Sequence, residues 1–106
     1  MGIAEEVARL TAVASPQRFR ILAELAAEPT HVSELARRVG MSRALLYMHL
    51  QRLEEVGLLA GRFELSEDGK ALKIFEVVPF EITVTPDSIR AAVESESTPE
   101  STESEQ

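Results

Sequence analysis

Residues 33–57 read Ser33-Glu34-Leu35-Ala36-Arg37-Arg38-Val39-Gly40-Met41-Ser42-Arg43-Ala44-Leu45-Leu46-Tyr47-Met48-His49-Leu50-Gln51-Arg52-Leu53-Glu54-Glu55-Val56-Gly57, and their punctuation decides the fold. Ser33 and Glu34 suit a helix start, and Leu35, Ala36 and Val39 line one face of a short helix over 33–39. Gly40 follows where a left-handed backbone is cheapest. Ser42 then caps a second, longer helix over 43–56, whose apolar ridge is Leu46, Leu50 and Leu53, and Gly57 ends it. A short helix, a glycine-bearing turn and a longer helix form a helix-turn-helix.

Working upstream, Ile3, Val7, Leu10 and Ala14 share one face of a helix over about 3–14. Ser15-Pro16 opens another over about 16–27, burying Phe19, Leu22 and Leu25 with Ile21 alongside. Downstream, residues 61–78 alternate like strands around Asp68-Gly69, the dipeptide favoured by a two-residue type I′ turn. That turn pairs Glu67 with Lys70, Leu65 with Leu72, Glu64 with Lys73 and Phe63 with Ile74, matching charge to charge and apolar to apolar. The competing reading has Ser66 cap a short helix over 67–72. Pro79 breaks the second strand, and residues 80–84 suit a short extended segment. Thr85-Pro86-Asp87 opens a last helix with Ile89, Ala92 and Val93 on one face. The predicted fold is mostly α with a small β-hairpin: a winged helix-turn-helix of five helices plus wing, one domain over 1–94. Residues 95–106 hold four Glu with no basic or apolar side chain, the composition of a disordered acidic tail.

Composition narrows function by exclusion. The 106 residues suit one domain, and no apolar run approaches the roughly 18 residues that a membrane helix needs. There is no cysteine, which removes thiolate metal sites, disulfides and cysteine nucleophiles. Two distant histidines and the lack of a phosphate-cradling glycine loop leave no nucleophile–base pair, so an enzyme is not expected. No cofactor is expected, and a cytoplasmic setting is the default. The net charge of −7 argues against a nucleic-acid partner until its distribution is seen. Without 95–106 it is −3, and from Leu35 to Leu53 there is no acid, only Arg37, Arg38, Arg43 and Arg52.

With its ridge inward, the 43–56 helix turns Arg43, Ala44, Tyr47, Met48 and Gln51 outward. That face fits the major groove, where an arginine fork bonds guanine O6 and N7 together. Ser42 and the amides beside it suit a phosphate. The candidate DNA-binding set is Ser42, Arg43, Ala44, Tyr47, Met48, Gln51 and Arg52, with Arg38 beside them and Arg62 and Lys70 on the wing. The wing itself is not net basic, since Glu64, Glu67 and Asp68 balance Arg62, Lys70 and Lys73. Two other readings stay open. The outer face is an ordinary solvated surface, or the acidic chain is a winged-helix module that binds a protein partner and little DNA.

Several stretches together resemble the ArsR-type (arsenic-repressor-like) transcriptional regulators: Ser15-Pro16-Gln17-Arg18-Phe19-Arg20-Ile21-Leu22, Val32-Ser33-Glu34-Leu35-Ala36, Gly40-Met41-Ser42-Arg43, and His49-Leu50-Gln51-Arg52-Leu53-Glu54-Glu55-Val56-Gly57-Leu58-Leu59. Asp68-Gly69-Lys70, Ile74-Phe75-Glu76 and Pro79-Phe80 through Thr85-Pro86 resemble the wing and final helix. The resemblance covers about residues 3–94. It implies a cytoplasmic homodimer on a partly palindromic operator in double-stranded DNA, joined through its first and last helices. The apolar positions Ile3, Val7, Leu10, Ile89, Ala92 and Val93 suit that contact, or else pack on each other within one subunit. Many members of the family sense metals through a Cys-Val-Cys pair, matched here by His31, Val32 and Ser33. Others use ligands on the last helix, where residues 86–94 have no His. Metal sensing is not expected, and His49, next to the ridge, reads as a packed histidine.

Overall fold

A computed structural model describes residues 2–104, with side chains described through Glu96. Its elements run α1 (Ile3–Val13), α2 (Pro16–Ala27), β1 (Thr30–His31), α3 (Val32–Val39), α4 (Arg43–Glu55), β2 (Leu59–Leu65), β3 (Ala71–Val77) and α5 (Pro86–Ser104). The winged helix-turn-helix is therefore present, with five helices and a three-stranded antiparallel sheet in the order β1-β3-β2.

The helix boundaries follow local chemistry. Ser15 Oγ accepts the Arg18 N–H at 3.3 Å, and Ser42 Oγ accepts the Leu45 N–H at 3.1 Å, satisfying amides that lack an intrahelical partner. Gly40 stands at φ 67°, and the Met41 N–H turns back to the Ala36 carbonyl at 3.1 Å, closing α3. The start of α3 differs from expectation. The helix opens at Val32 rather than Ser33, and its cap is the His31 imidazole, whose Nδ1 accepts the Glu34 N–H at 3.4 Å. Thr85 and Ser88 cap α5 reciprocally, each side-chain oxygen accepting the other's backbone N–H at 2.8 and 3.0 Å.

One core joins these pieces. Ile21, Leu25, Leu35, Leu46, Leu50, Leu53 and Leu58 are its largest fully buried side chains, with Ala12, Leu59 and Phe75 packed among them. Phe19 is not a core residue. It is 63% exposed, because α2 turns Ile21 and Leu25 inward and leaves Phe19 at the lip of a groove of about 450 Å³ with Leu22, Ala26, Val77 and Phe80.

The hairpin forms where expected but one residue out of the expected register. Leu65 pairs with Ala71, Phe63 with Lys73 and Arg62 with Ile74. Gly69 alone in the turn has positive φ, at 85°, so Asp68 cannot supply the second left-handed residue of a type I′ turn. Instead the Gly69 N–H donates to the Ser66 carbonyl at 2.9 Å and the Ser66 N–H to the Lys70 carbonyl at 2.7 Å. This is a three-residue loop with a glycine bulge, and the extra residue shifts the ladder. No helix forms over 67–72, and residues 78–85 join β3 to α5 without strand pairing.

The last helix does not stop at 94. Glu96 accepts the Ile3 N–H at 2.7 Å, putting a carboxylate at the positive end of α1, and the α5 backbone stays helical to Ser104. The side chains of 97–104 and residues 105–106, assigned from sequence to an acidic tail, lie outside the described residues.

Candidate nucleic-acid interface

The core holds α4 by one side and leaves the other to solvent. Leu46, His49, Leu50 and Leu53 are its buried residues, while Tyr47 is 50% and Met48 63% exposed. Arg43, Ala44 and Gln51 are exposed beside them, and Ser42 is exposed at the tip. Ser42 Oγ is already an acceptor in its cap, which leaves its hydroxyl hydrogen free to point outward.

The arginines of the acid-free stretch are not equivalent. Arg38 bonds Glu34 at 2.9 Å and Glu28 at 2.9 Å, and Arg37 is also bonded to Glu34. Those two guanidiniums, Arg37 foremost, pull the Glu34 carboxyl down to about 2. Arg52 reaches Glu55 at 3.4 Å, and Gln51 donates to the same carboxylate at 3.5 Å. On the wing, Arg62 is paired with Glu64 and with Glu76. The +4 patch read from sequence is thus largely answered by carboxylates just outside the acid-free window. Within the acid-free stretch and the wing, Arg43 and Lys70 differ: neither side chain has a hydrogen bond or ion pair, a state shared among the described residues by Arg20 on α2.

Arg43 and Tyr47 line a cleft of about 340 Å³ whose other walls are His31 and Ser33 at the start of α3 and Phe63, Lys73 and Phe75 of the wing. The wing tip is apolar rather than cationic, with Phe63 73% and Leu65 77% exposed.

Beneath α4 lies a contact that sequence did not disclose. Arg18 of α2 donates from Nε to His49 Nδ1 at 2.9 Å and from Nη1 to the Ala12 carbonyl at 3.2 Å. His49 is 8% exposed and its Nε2 has no partner. Burial, with the Arg18 charge second, holds its pKa below the ordinary histidine value. Since Nδ1 accepts, the neutral ring carries its proton on Nε2. Among the described residues, no group of three or more His, Asp or Glu side chains is placed to hold a metal ion.

Away from the Arg43 cleft, Ile3, Val7, Leu10, Ile89, Ala92 and Val93 share one small cavity, so the α1 and α5 stripes do meet within one chain. Yet Val7 (51%), Ile89 (55%) and Val93 (48%) are still half exposed after meeting.

Comparison with known proteins points to a helix-turn-helix regulator. The model of a family described as a helix-turn-helix domain matches residues 13–62. An HTH-type transcriptional regulator of Methanocaldococcus jannaschii is 31% identical over 85 residues, covering 80% of this chain and 88% of the relative. An ArsR-like transcriptional regulator from Rhodococcus superposes with a TM-score of 0.61 at 25% identity, over 71% of this chain and 66% of that one. A homodimeric winged helix-turn-helix DNA-binding domain from Mycobacterium bovis shares the fold, with a TM-score of 0.60 at 22% identity over 98% of this chain and 87% of that one.

Proposed function

The chain belongs to the helix-turn-helix transcriptional regulators of ArsR type and is a DNA-binding regulator, and from that premise we propose how it reads its operator. The α4 helix enters the major groove with Arg43 foremost, bonding a guanine through its fork. Ala44, Tyr47, Met48 and Gln51 cover the neighbouring base edges, the thioether and methyl groups suiting thymine methyls. Ser42 and Arg52 meet phosphates on either side of the groove, and Lys70, with Arg62 behind it, approaches the flanking backbone. Arg38 joins them once it leaves Glu28 or Glu34. Two copies act together, their α1 and α5 stripes covering one another through Ile3, Val7, Leu10, Ile89, Ala92 and Val93. A two-fold pair of this kind sets its α4 helices about one turn of DNA apart, roughly 34 Å. The protein acts by binding rather than by catalysis, in the cytoplasm where its operator lies.

The observation that carries this reading is Arg43. It stands exposed at the first turn of a projecting helix with no ion pair, while Arg37, Arg38, Arg52, Arg62, Lys73 and Arg90 all have carboxylate partners. The test is a titration of the protein with DNA from upstream of its own gene at several salt concentrations. Each phosphate contact contributes about −0.9 to the slope of log affinity against log salt. Arg43→Ala is expected to cost about 1–3 kcal/mol and to relax selectivity at one base position. No binding at low salt, or selectivity unchanged by that substitution, overturns the assignment.

A further inference from the structure

The hairpin reaches away from the body, and its outer half has little to hold it. Phe63 and Leu65, which lie on the same strand face as the core residue Leu59, are largely exposed, so apolar packing fixes the wing only at its base. Among the described residues, one ion pair crosses the gap. Lys73 of β3 extends its ammonium to 3.5 Å from the Glu54 carboxylate on α4. The same ammonium sits 5.1 Å over the ring of Phe75, which is anchored in the core at 3% exposure. The stem of Lys73 reaches that position by lying across the backbone of Gly61. A methyl group on Gly61 would stand 2.2 Å from Lys73 Cε, so a larger residue there pushes the lysine stem off this path. Gly61 is paired with Phe75 on the adjacent strand, and the lysine, its channel, its ring and its carboxylate form one device.

We propose that Lys73 is a positioning residue that sets the angle between wing and recognition helix, acting through Glu54 rather than by touching DNA. The inference rests on the operator-binding reading above. A duplex is gripped at two places, by the outer face of α4 and by Lys70 at the wing tip, and their separation must match the distance between grooves. A free hairpin has to be ordered on each binding event. A braced one meets the DNA already aligned.

The variants separate position from charge. Lys73→Met keeps the stem and removes the charge. Glu54→Gln removes the anion. Gly61→Ala keeps both charges but displaces the stem, and Lys73→Arg keeps the cation. In DNA-free protein, residual dipolar couplings of wing and helices are expected to fit one alignment tensor in wild type and Lys73→Arg. In the other three variants the hairpin is expected to require a tensor of its own. On upstream DNA those three bind about two- to fivefold more weakly, the range that a part-exposed ion pair supports. They lose hydroxyl-radical protection at the flanks, and their salt slope stays that of wild type. If instead Lys73→Met alone lowers the slope by about 0.9 while Glu54→Gln binds more tightly, Lys73 is a phosphate contact and the brace is refuted. A single tensor in all variants refutes it too, independently of DNA. Failure of wild type to bind any upstream DNA would overturn the operator reading, leaving the dipolar couplings to judge the brace.

Discussion

Replacing Arg18 by methionine tests how the recognition helix is seated. The substitution keeps most of the stem and removes two donations at once, that to His49 Nδ1 at 2.9 Å and that to the Ala12 carbonyl at 3.2 Å. Both acceptors belong to buried residues, His49 at 8% and Ala12 at 0% exposure. A buried acceptor left without its partner costs about 1–3 kcal/mol, and the part-buried setting of these bonds lets water recover some of it. The expected loss is about 2 kcal/mol, roughly a 10 °C fall in the unfolding midpoint for a domain of this size. The pH dependence is the more specific readout. Folded His49 binds its proton less readily than unfolded His49, so the unfolded chain carries more protons below about pH 6.5. Wild-type stability therefore falls as pH is lowered through that value and levels off below the folded pKa. In Arg18→Met the competing donor and its charge are gone, Nδ1 can take the proton, and the fall becomes shallower. Urea unfolding by circular dichroism at pH 7 and pH 5.5 measures both effects. An unchanged midpoint, or an equal pH response in the two proteins, would refute the reasoning.

Three other outcomes are expected. Gly40→Ala forces a methyl-bearing residue to φ 67°, at a cost of about 1–2 kcal/mol in chemical denaturation, although open space surrounds the site. Val7→Asp and Ile89→Asp put charge on half-exposed apolar stripes and are expected to give monomers in sedimentation velocity, with operator affinity falling in parallel. Glu34→Gln releases Arg37 and leaves Arg38 with Glu28 as its one carboxylate partner, so the salt slope for DNA should steepen by no more than about one phosphate contact. Wild type should also lose stability as pH falls from the ordinary carboxylate range toward 2, through the folded value of Glu34, and this variant should lose less.

Much of this architecture was legible because single residues at helix ends have few alternatives. Ser15-Pro16, Gly40 and Ser42 each suit one backbone task, and the helices begin and end beside them. The hairpin was legible in place but not in register. Asp68-Gly69 serves a two-residue loop and a three-residue bulged loop equally well, and charge matching could not decide between them because long side chains reach diagonal partners. Phe19 misled because its spacing from Leu22 is helical, whereas the buried stripe of α2 runs through Ile21 and Leu25. A two-residue strand such as β1 leaves no periodicity to read. At the interface, sequence identified the exposed face of α4 but overstated its charge. Glu28, Glu34 and Glu55 lie outside the acid-free window in the chain and reach into it in space.

The short strand β1 has a consequence out of proportion to its length. Thr30 pairs with Phe75 and His31 with Ile74, and His31 also caps α3, so the first helix of the reading unit is stitched to the middle strand of the wing. Seam and brace together make each subunit a stiff two-pronged tool. A signal that releases such a tool from its operator has little shape to bend within either copy. In the two-fold pair proposed above it works where the copies join, changing the gap between two sets of prongs until they fall out of step with the turns of the duplex.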